Sequence, residues 1–141
     1  MSYRIVTNNP SVRENFQDSK LIFIDGSYED VLIKVRDLVH SGVELIDSPL
    51  GASIRMLLSP YRSILVGTER QAMNMDQILL IEQSILNYRT LTQRRKSEPQ
   101  HANDYAVVDK ELLKASIQAY EDMNCQTHSK FTGGEFLETR A

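Results

Sequence analysis

The chain contains one cysteine, Cys125, no tryptophan, and no apolar run longer than four residues. A single thiol excludes an internal disulfide and any CxxC pair for metal or redox chemistry. Apolar runs this short fall far below the ~20 residues that a membrane-spanning helix needs. The first residues also lack the charged start and long apolar stretch of a signal peptide. We therefore expect a cytoplasmic protein with no membrane partner.

Charge and binding motifs are equally sparse. The 16 basic and 19 acidic residues give a net charge of −3, which offers no cationic surplus for the phosphates of a nucleic acid. No GxGxxG or P-loop is present, so a standard nucleotide cradle is not expected. His40, His101 and His128 lack the spacing of zinc ligands. We predict no nucleic-acid partner, no metal and no cofactor, and the sequence identifies no catalytic residue. Whether the protein is an enzyme is left open.

Length and apolar content favour one compact domain. A chain of 141 residues with 41% hydrophobic residues is long enough to bury a core without disulfides. Short apolar or β-branched runs at Tyr3–Thr7, Leu21–Ile24 and Ser63–Val66 are typical of strands, and Val43–Asp47 is a fourth candidate. Helical patterns alternate with them. This order predicts an α/β fold with a small, mainly parallel sheet of three or four strands, covered by helices, and a helical C-terminal part.

The helices have clear start signals. Asn9 precedes a helix predicted over Pro10–Gln17, and Ser27 caps a second helix that Gly42 terminates. Two further helices are predicted over Asn74–Arg95 and Val108–Asn124. We assign residues 1–124 to one domain, helical from about residue 74, and residues 125–141 to a flexible tail. The apolar stripe of the helix at 74–95 is wide enough for two packing partners, which favours a homo-oligomer, with a homodimer expected.

Polar turns follow three of the predicted strands, at Thr7-Asn8-Asn9, Asp25-Gly26-Ser27 and Gly67-Thr68. In a parallel sheet all three turns lie at the carboxyl edge, where ligands bind in open α/β folds. The proline loop that starts at Ser48 could project over the same edge. The tentative ligand-binding residues are Asn8, Asn9, Asp25, Ser27, Ser48 and Ser53. Two simpler interpretations stay open, in which Asn9 and Ser27 only cap helices and Asp25 only forms a turn.

Five short motifs, in this order and spacing, resemble the GrdX family over roughly residues 4–90. The family comprises small proteins associated with the glycine, sarcosine and betaine reductase genes of amino-acid-fermenting anaerobes. The motifs are Ile5-Val6-Thr7-Asn8-Asn9-Pro10, Asp25-Gly26-Ser27-Tyr28, Val35-Arg36-Asp37-Leu38, Ser48-Pro49-Leu50-Gly51-Ala52-Ser53 and Pro60-Tyr61-Arg62-Ser63-Ile64.

The resemblance implies an accessory or interaction protein of a selenium-dependent reductase system, with reductase-complex proteins as partners. It transfers no catalytic residue, because the family has none established. The family tends to carry a histidine just before the Pro-Leu of the proline loop, and this chain has Ser48 there. The alternative function is a small-molecule or anion-binding protein, or an enzyme, that uses the carboxyl edge of the sheet.

Overall fold

A computed structural model describes residues 2–50, 54–93 and 99–133. Short 3-10 turns lie at Asp18–Lys20, Ile54–Leu58 and Pro99–His101. Within the described ranges no helix is long and apolar enough to cross a membrane. The strands and helices, in chain order, are β1 (Arg4–Thr7), α1 (Pro10–Asn15), β2 (Leu21–Phe23), α2 (Tyr28–His40), β3 (Val43–Leu45), β4 (Ser63–Arg70), α3 (Met75–Thr92) and α4 (Ala102–Gly133).

The four strands form one mixed sheet in the order β2-β1-β4-β3. β1 and β2 are parallel, whereas β4 runs antiparallel to both β1 and β3. The prediction of an α/β fold is therefore confirmed, but the prediction of a mainly parallel sheet is wrong. A parallel return to the sheet needs a crossover, usually through a helix. The described part of the connection between β3 and β4 contains only the 3-10 turn Ile54–Leu58, and β4 returns in the opposite direction.

β4 is also twice as long as the sequence predicts, because it continues through Gly67 and Thr68 to Arg70. These two residues therefore lie inside an antiparallel strand and not in a turn at the carboxyl edge. Gly67 faces β3 closely, since a Cβ added to it would lie 3.3 Å from Cβ of Glu44. The glycine that suggested the end of the strand instead permits this close approach.

Two helix starts follow the predictions. Asn9 caps α1, and its side-chain oxygen accepts a hydrogen bond from the Ser11 amide. Ser27 and Asp30 form a reciprocal capping box at the start of α2. The chain then leaves α2 through Gly42, whose φ of 99° suits a residue without a Cβ.

The helices cover the sheet as two separate layers, because alternate residues of each strand face opposite sides. On one face Val6, Ile64 and Val66 pack with α2 and α3. On the other face Ile5 and Leu65 pack with α1 and α4, which contributes Leu113 and Ile117. α4 begins six residues before its predicted start and ends nine residues after its predicted end.

The outer edge of β3 is paired by a side chain. The Gln77 Oε1 atom accepts a hydrogen bond from the Leu45 amide at 2.8 Å, and Gln77 Nε2 donates to the Leu45 carbonyl at 3.0 Å. The amide group thus makes the two hydrogen bonds that a neighbouring strand would make. Unpaired strand edges are templates for association, and Gln77 occupies this one at Leu45.

Candidate functional site

The carboxyl ends of β1, β2 and β3 and the start of β4 meet at one edge of the sheet, because β4 alone runs in the opposite direction. The turn after β1, the turn before α2 and both ends of the connection between β3 and β4 come together there. We call this region the polar edge. It contains the predicted residues Asn8, Asn9, Asp25, Ser27 and Ser48. Ser53 lies outside the described residues.

Asn8 links three segments of the polar edge. Its Nδ2 atom donates hydrogen bonds to the carbonyls of Gly26 at 2.9 Å and Pro60 at 2.8 Å. Its Oδ1 atom accepts one from the Arg62 amide at 2.9 Å. The residue is 5% exposed. Both Nδ2 protons and one Oδ1 lone pair are therefore used to hold loops together.

Asn9 and Asp109 connect the polar edge to α4. Asn9 Nδ2 donates to the Ala106 carbonyl at 2.9 Å and to Asp109 Oδ2 at 3.0 Å. Asp109 also accepts from the Ser63 amide at 3.1 Å and from the Ser63 hydroxyl at 2.7 Å. Asn9 and Asp109 are both buried. Three donors therefore satisfy this buried carboxylate, and no cationic partner is needed to explain its position.

The network continues to β1 through a hydroxyl pair. The Thr7 and Ser63 hydroxyl oxygens are 2.7 Å apart, and the Thr7 hydroxyl oxygen accepts from the Asn9 amide. Because Ser63 donates its hydroxyl proton to Asp109, the Thr7 hydroxyl donates to Ser63. Thr7 and Ser63 are both buried. The arrangement brings a serine and an aspartate together but buries both. The pair therefore stabilises the fold and is not placed to attack a substrate.

The turn before α2 is more open. The Ser27 hydroxyl accepts from the Asp30 amide at 3.1 Å, and Asp30 Oδ2 accepts from the Ser27 amide at 2.9 Å. Asp25 is exposed, and its side chain makes no hydrogen bond or ion pair with the described residues. Of the predicted ligand-binding residues that the structure describes, Asp25 is the one whose side chain is not used internally.

Arg62 and Asp47 organise the proline loop. The Arg62 guanidinium donates to the Ser48 carbonyl and, at 3.0 Å, to the Pro49 carbonyl. Asp47 Oδ1 accepts from the Ser48 amide at 2.9 Å. Burial raises the pKa of the Asp47 carboxyl, while the nearby Arg62 and hydrogen bonds that include the Ser116 side chain oppose this shift. Asp47 therefore holds the amide of Ser48 and Arg62 holds its carbonyl. The Ser48 hydroxyl donates to the Leu50 carbonyl.

A cavity of about 430 Å³ opens between the 3-10 turn at Ile54–Leu58 and the first turns of α4. The lining residues are Met56, His101, Asp104, Tyr105 and Val108. Its volume falls within the range of small-ligand pockets.

Among the described side chains, no three His, Cys, Asp or Glu residues are placed to hold a metal ion.

α3 exposes an apolar surface on the side away from the core. Met75, Leu79 and Leu86 are 62%, 61% and 56% exposed. At 3.6 residues per turn these three side chains fall within about 40° of the helix circumference. We call them the α3 surface. Two polar contacts lie beside it and tie α3 to α2. They are a hydrogen bond between His40 and Glu82 at 2.9 Å and an ion pair between Arg89 and Glu29 at 2.8 Å.

The sequence reasoning found the polar edge but missed the buried partners within it. Asp109 was not among the candidate residues, although it is spaced four residues from Tyr105 and from Leu113 on the buried side of α4. An acidic residue in the middle of a buried stripe is the signal that could have identified it. Ser63 was assigned only to a strand. The binding role of the predicted residues stays a prediction.

Comparison with known proteins agrees with the motifs. The family model described as GrdX-like protein matches residues 4–118. The matched range extends the similarity into α4 and includes Asp109 and Ser116. No curated protein and no solved structure matches the chain. Because the family model covers most of the sequence, the chain belongs to the GrdX-like protein family.

Proposed function

We propose that this protein is an accessory component of the glycine reductase system, including its sarcosine and betaine forms, and that it acts by binding a reductase-complex protein. Membership of the GrdX-like family supports the biological setting. The α3 surface is the observation that carries the mode of action. Large apolar side chains that are exposed together on one side of a helix suit a protein interaction site.

The hydrogen bonds of the polar edge also favour a protein-binding role over a catalytic one. The side chains of Asn8, Asn9 and Ser27 form hydrogen bonds within the protein, and the Ser63–Asp109 pair is buried. The α3 surface lacks such internal partners and is rigidly held, because Ile81 and Ile85 on the opposite side of α3 are buried in the core. A partner with an apolar groove would bury Met75, Leu79 and Leu86 without first reorganising α3.

The test uses purified glycine reductase components and the full chain. Leu79→Glu and Leu86→Glu place charges on the α3 surface and should weaken binding at least tenfold. Leu80→Glu is the matched control, since Leu80 is 49% exposed on the same helix but lies about 100° around the circumference from Leu79. Equal losses in all three variants would contradict the assigned surface. No binding by the unaltered protein to any reductase component would overturn the proposal.

The alternative function, binding of a small molecule at the polar edge, is supported by one observation, which favours a ligand with a cationic group over an anion. Asp25 is exposed beside Gly26 and makes no side-chain bond with the described residues. A thermal-shift series with phosphate, glycine, sarcosine and betaine tests this alternative, because a bound ligand raises the unfolding midpoint. A shift that Asp25→Asn abolishes would support it, and a flat response to every compound would count against it.

A further inference from the structure

The sequence of β2 does not match its position in the sheet. Leu21, Ile22, Phe23 and Ile24 form a continuous apolar run, which is typical of a strand that is covered on both faces. β2 instead lies at the end of the sheet, where β1 is its one neighbouring strand among the described residues. All four side chains are only half-buried. No charge or proline interrupts the run, although both commonly protect an edge strand from association.

The outward backbone groups of β2 are open at Phe23. The Ile24 amide donates to the Thr7 carbonyl at 2.8 Å and therefore points toward β1. Because backbone groups alternate along a strand, the N–H and C=O of Phe23 and Leu21 point away from β1. The Leu21 amide donates to the Asp18 carbonyl, whereas the described residues provide no partner for the Phe23 amide.

We propose that β2 pairs with β2 of a second copy of this chain, antiparallel and centred on Phe23. Residues directly opposite each other in an antiparallel pair can exchange both of their N–H···O=C bonds, so Phe23 of each copy satisfies the other. A two-fold axis at this point makes the same surface its own partner. The two four-stranded sheets then form one continuous sheet. The proposal gives the predicted homo-oligomer a defined interface and does not depend on binding to a reductase component.

The opposite edge of the sheet supports a second β2 as the occupant. Pairing of β2 with the β3 edge of another copy would be a head-to-tail contact, which repeats without closing. Gln77 prevents that contact, because its amide group already pairs with the N–H and C=O of Leu45 on β3. Pairing through β2 leaves a blocked β3 edge at each end of the joined sheet. The assembly therefore stops at two copies.

The charges beside Phe23 are complementary across the two-fold axis. The Arg13 guanidinium lies 4.6 Å from the centre of the Phe23 ring. In this register Leu21 is opposite Asp25 of the second copy, and Asp25 of the second copy is diagonal to Phe23 on the same face, within reach of a long side chain. Asp25 is exposed and has no side-chain partner among the described residues of its own chain. Two Arg13 cations near the axis are thus balanced by two Asp25 carboxylates.

The other charges of this region do not oppose the pairing. Asp18 and Lys20 have opposite signs and lie together at the start of β2, so they offset each other. The register places Lys20 opposite Gly26 of the second copy, which carries no charge. Glu14 follows Arg13 on α1 but lies about 100° around the helix from it.

Sedimentation velocity and amide hydrogen exchange on the unaltered full chain test the pairing directly. The protein should dimerise as its concentration rises, and the Phe23 amide should exchange at least tenfold more slowly in the dimer than in the monomer. The Ile24 amide is the internal control, because its bond to Thr7 lies within each copy. A monomer at all concentrations, or rapid exchange at Phe23 in the dimer, would overturn the proposal.

Phe23→Pro and Phe23→Ala form a matched pair. Both remove the ring, but only proline removes the N–H, which points away from β1 and is not needed for the pairing of β1 with β2. The proline variant should dimerise at least tenfold more weakly than the alanine variant. Circular dichroism establishes that both are folded, and the exchange measurement stays decisive if the proline variant does not fold. Equal dimerisation by the two folded variants would refute the backbone pairing.

Charge reversal tests the register. Arg13→Asp and Asp25→Arg should each weaken dimerisation at least fivefold, and the variant that combines both changes should recover most of the loss. Asp18→Arg is the control, because it changes the net charge by the same amount as Asp25→Arg but should not weaken dimerisation. Failure of the combined variant to recover would refute the register centred on Phe23. All of these results are independent of whether a reductase component binds.

Discussion

Ser63 and Asp109, forty-six positions apart in sequence, are joined by two hydrogen bonds, from the Ser63 amide to Oδ1 at 3.1 Å and from its hydroxyl to Oδ2 at 2.7 Å. The pair fastens the first residue of β4 to α4. Asn9 donates a third hydrogen bond to the same carboxylate. The carboxylate therefore fixes where α4 sits on the sheet.

Replacing Asp109 by alanine should lower the free energy of unfolding by about 2–4 kcal/mol, because it leaves buried donors on Ser63 and Asn9 without an acceptor. Urea denaturation provides the measurement. Asp104→Ala on the same helix is the control, since Asp104 is exposed and its loss should cost less than about 0.5 kcal/mol. Similar small effects in both variants would show that the Asp109 contacts contribute little.

Asn8→Asp preserves the shape of the side chain but replaces its donor nitrogen with a carboxylate oxygen, which only accepts hydrogen bonds. The new carboxylate would face the carbonyls of Gly26 and Pro60, to which Asn8 now donates. We expect a loss of at least about 2 kcal/mol in unfolding free energy. Asn15→Asp, at an exposed position, is the matched control. If the Asn8 variant unfolds at the same urea concentration as the control, Asn8 does not hold the polar edge together.

Gln77→Ala should uncover the outer edge of β3 at Leu45. Loss of two hydrogen bonds to the Leu45 backbone predicts a decrease of about 1–2 kcal/mol in stability and faster hydrogen exchange at the Leu45 amide. An open edge also favours association between strands. Gln83→Ala provides the comparison, because Gln83 is exposed and bonds to Asn87 on the same helix. Unchanged exchange at Leu45 would contradict the pairing by Gln77.

Gly42→Ala tests the turn after α2. At a φ of 99° an added Cβ would overlap the Gln71 carbonyl oxygen, so both the backbone conformation and this contact oppose the change. The expected cost is at least about 2 kcal/mol, measured as a lower thermal midpoint. Ser41→Ala, at the exposed neighbouring position, should shift the midpoint much less. Equal midpoints for the two variants would argue against this turn conformation.

Asp47 predicts a specific pH dependence. Because burial raises the pKa of its carboxyl above the ordinary value of 3.8, the folded state holds the proton more tightly than the unfolded chain. Stability from this group is therefore full below the ordinary pKa and decreases as pH rises through the raised value. The stability of the unaltered protein relative to Asp47→Asn should fall across that window in urea titrations. A relative increase would show that Arg62 and the hydrogen bonds outweigh burial.

Local signals in the sequence predicted the starts of α1, α2 and α3, whereas α4 begins six residues before its predicted start. Asn9, Ser27 and Asn74 each cap the helix that follows, because a capping bond involves residues only two or three positions apart. The short strands β1, β2 and β3 were also found, since their runs are rich in apolar and β-branched residues. The direction of β4 was not, because pairing of Thr7 with Ser63 depends on residues 56 positions apart. No short pattern encodes that relationship.

At the candidate site, too, the sequence predicted local features but not contacts between residues that are distant in sequence. The sequence identified two turns of the polar edge, after β1 and before α2, but it wrongly placed Gly67-Thr68 there. It also did not indicate that Asn8 and Asn9 use their amides within the protein. Those bonds go to Pro60 and Asp109, which are distant in sequence. Ligand-binding and structural asparagines have the same local pattern. Only the tertiary arrangement distinguishes them, and it leaves Asp25 as the described candidate with a side chain open to solvent.

The dependence of the sheet on α4 has a consequence for synthesis of the chain on the ribosome. β1 can pair with β2 early, but its other neighbour, β4, ends at Arg70. Even then, the buried Ser63 amide lacks the carboxylate that accepts its hydrogen bond until Asp109 has been synthesised. Nascent chains that stop before α4 should therefore be recognised by chaperones and proteases as incomplete. We therefore expect the chain to become protease-resistant only when α4 has been completed.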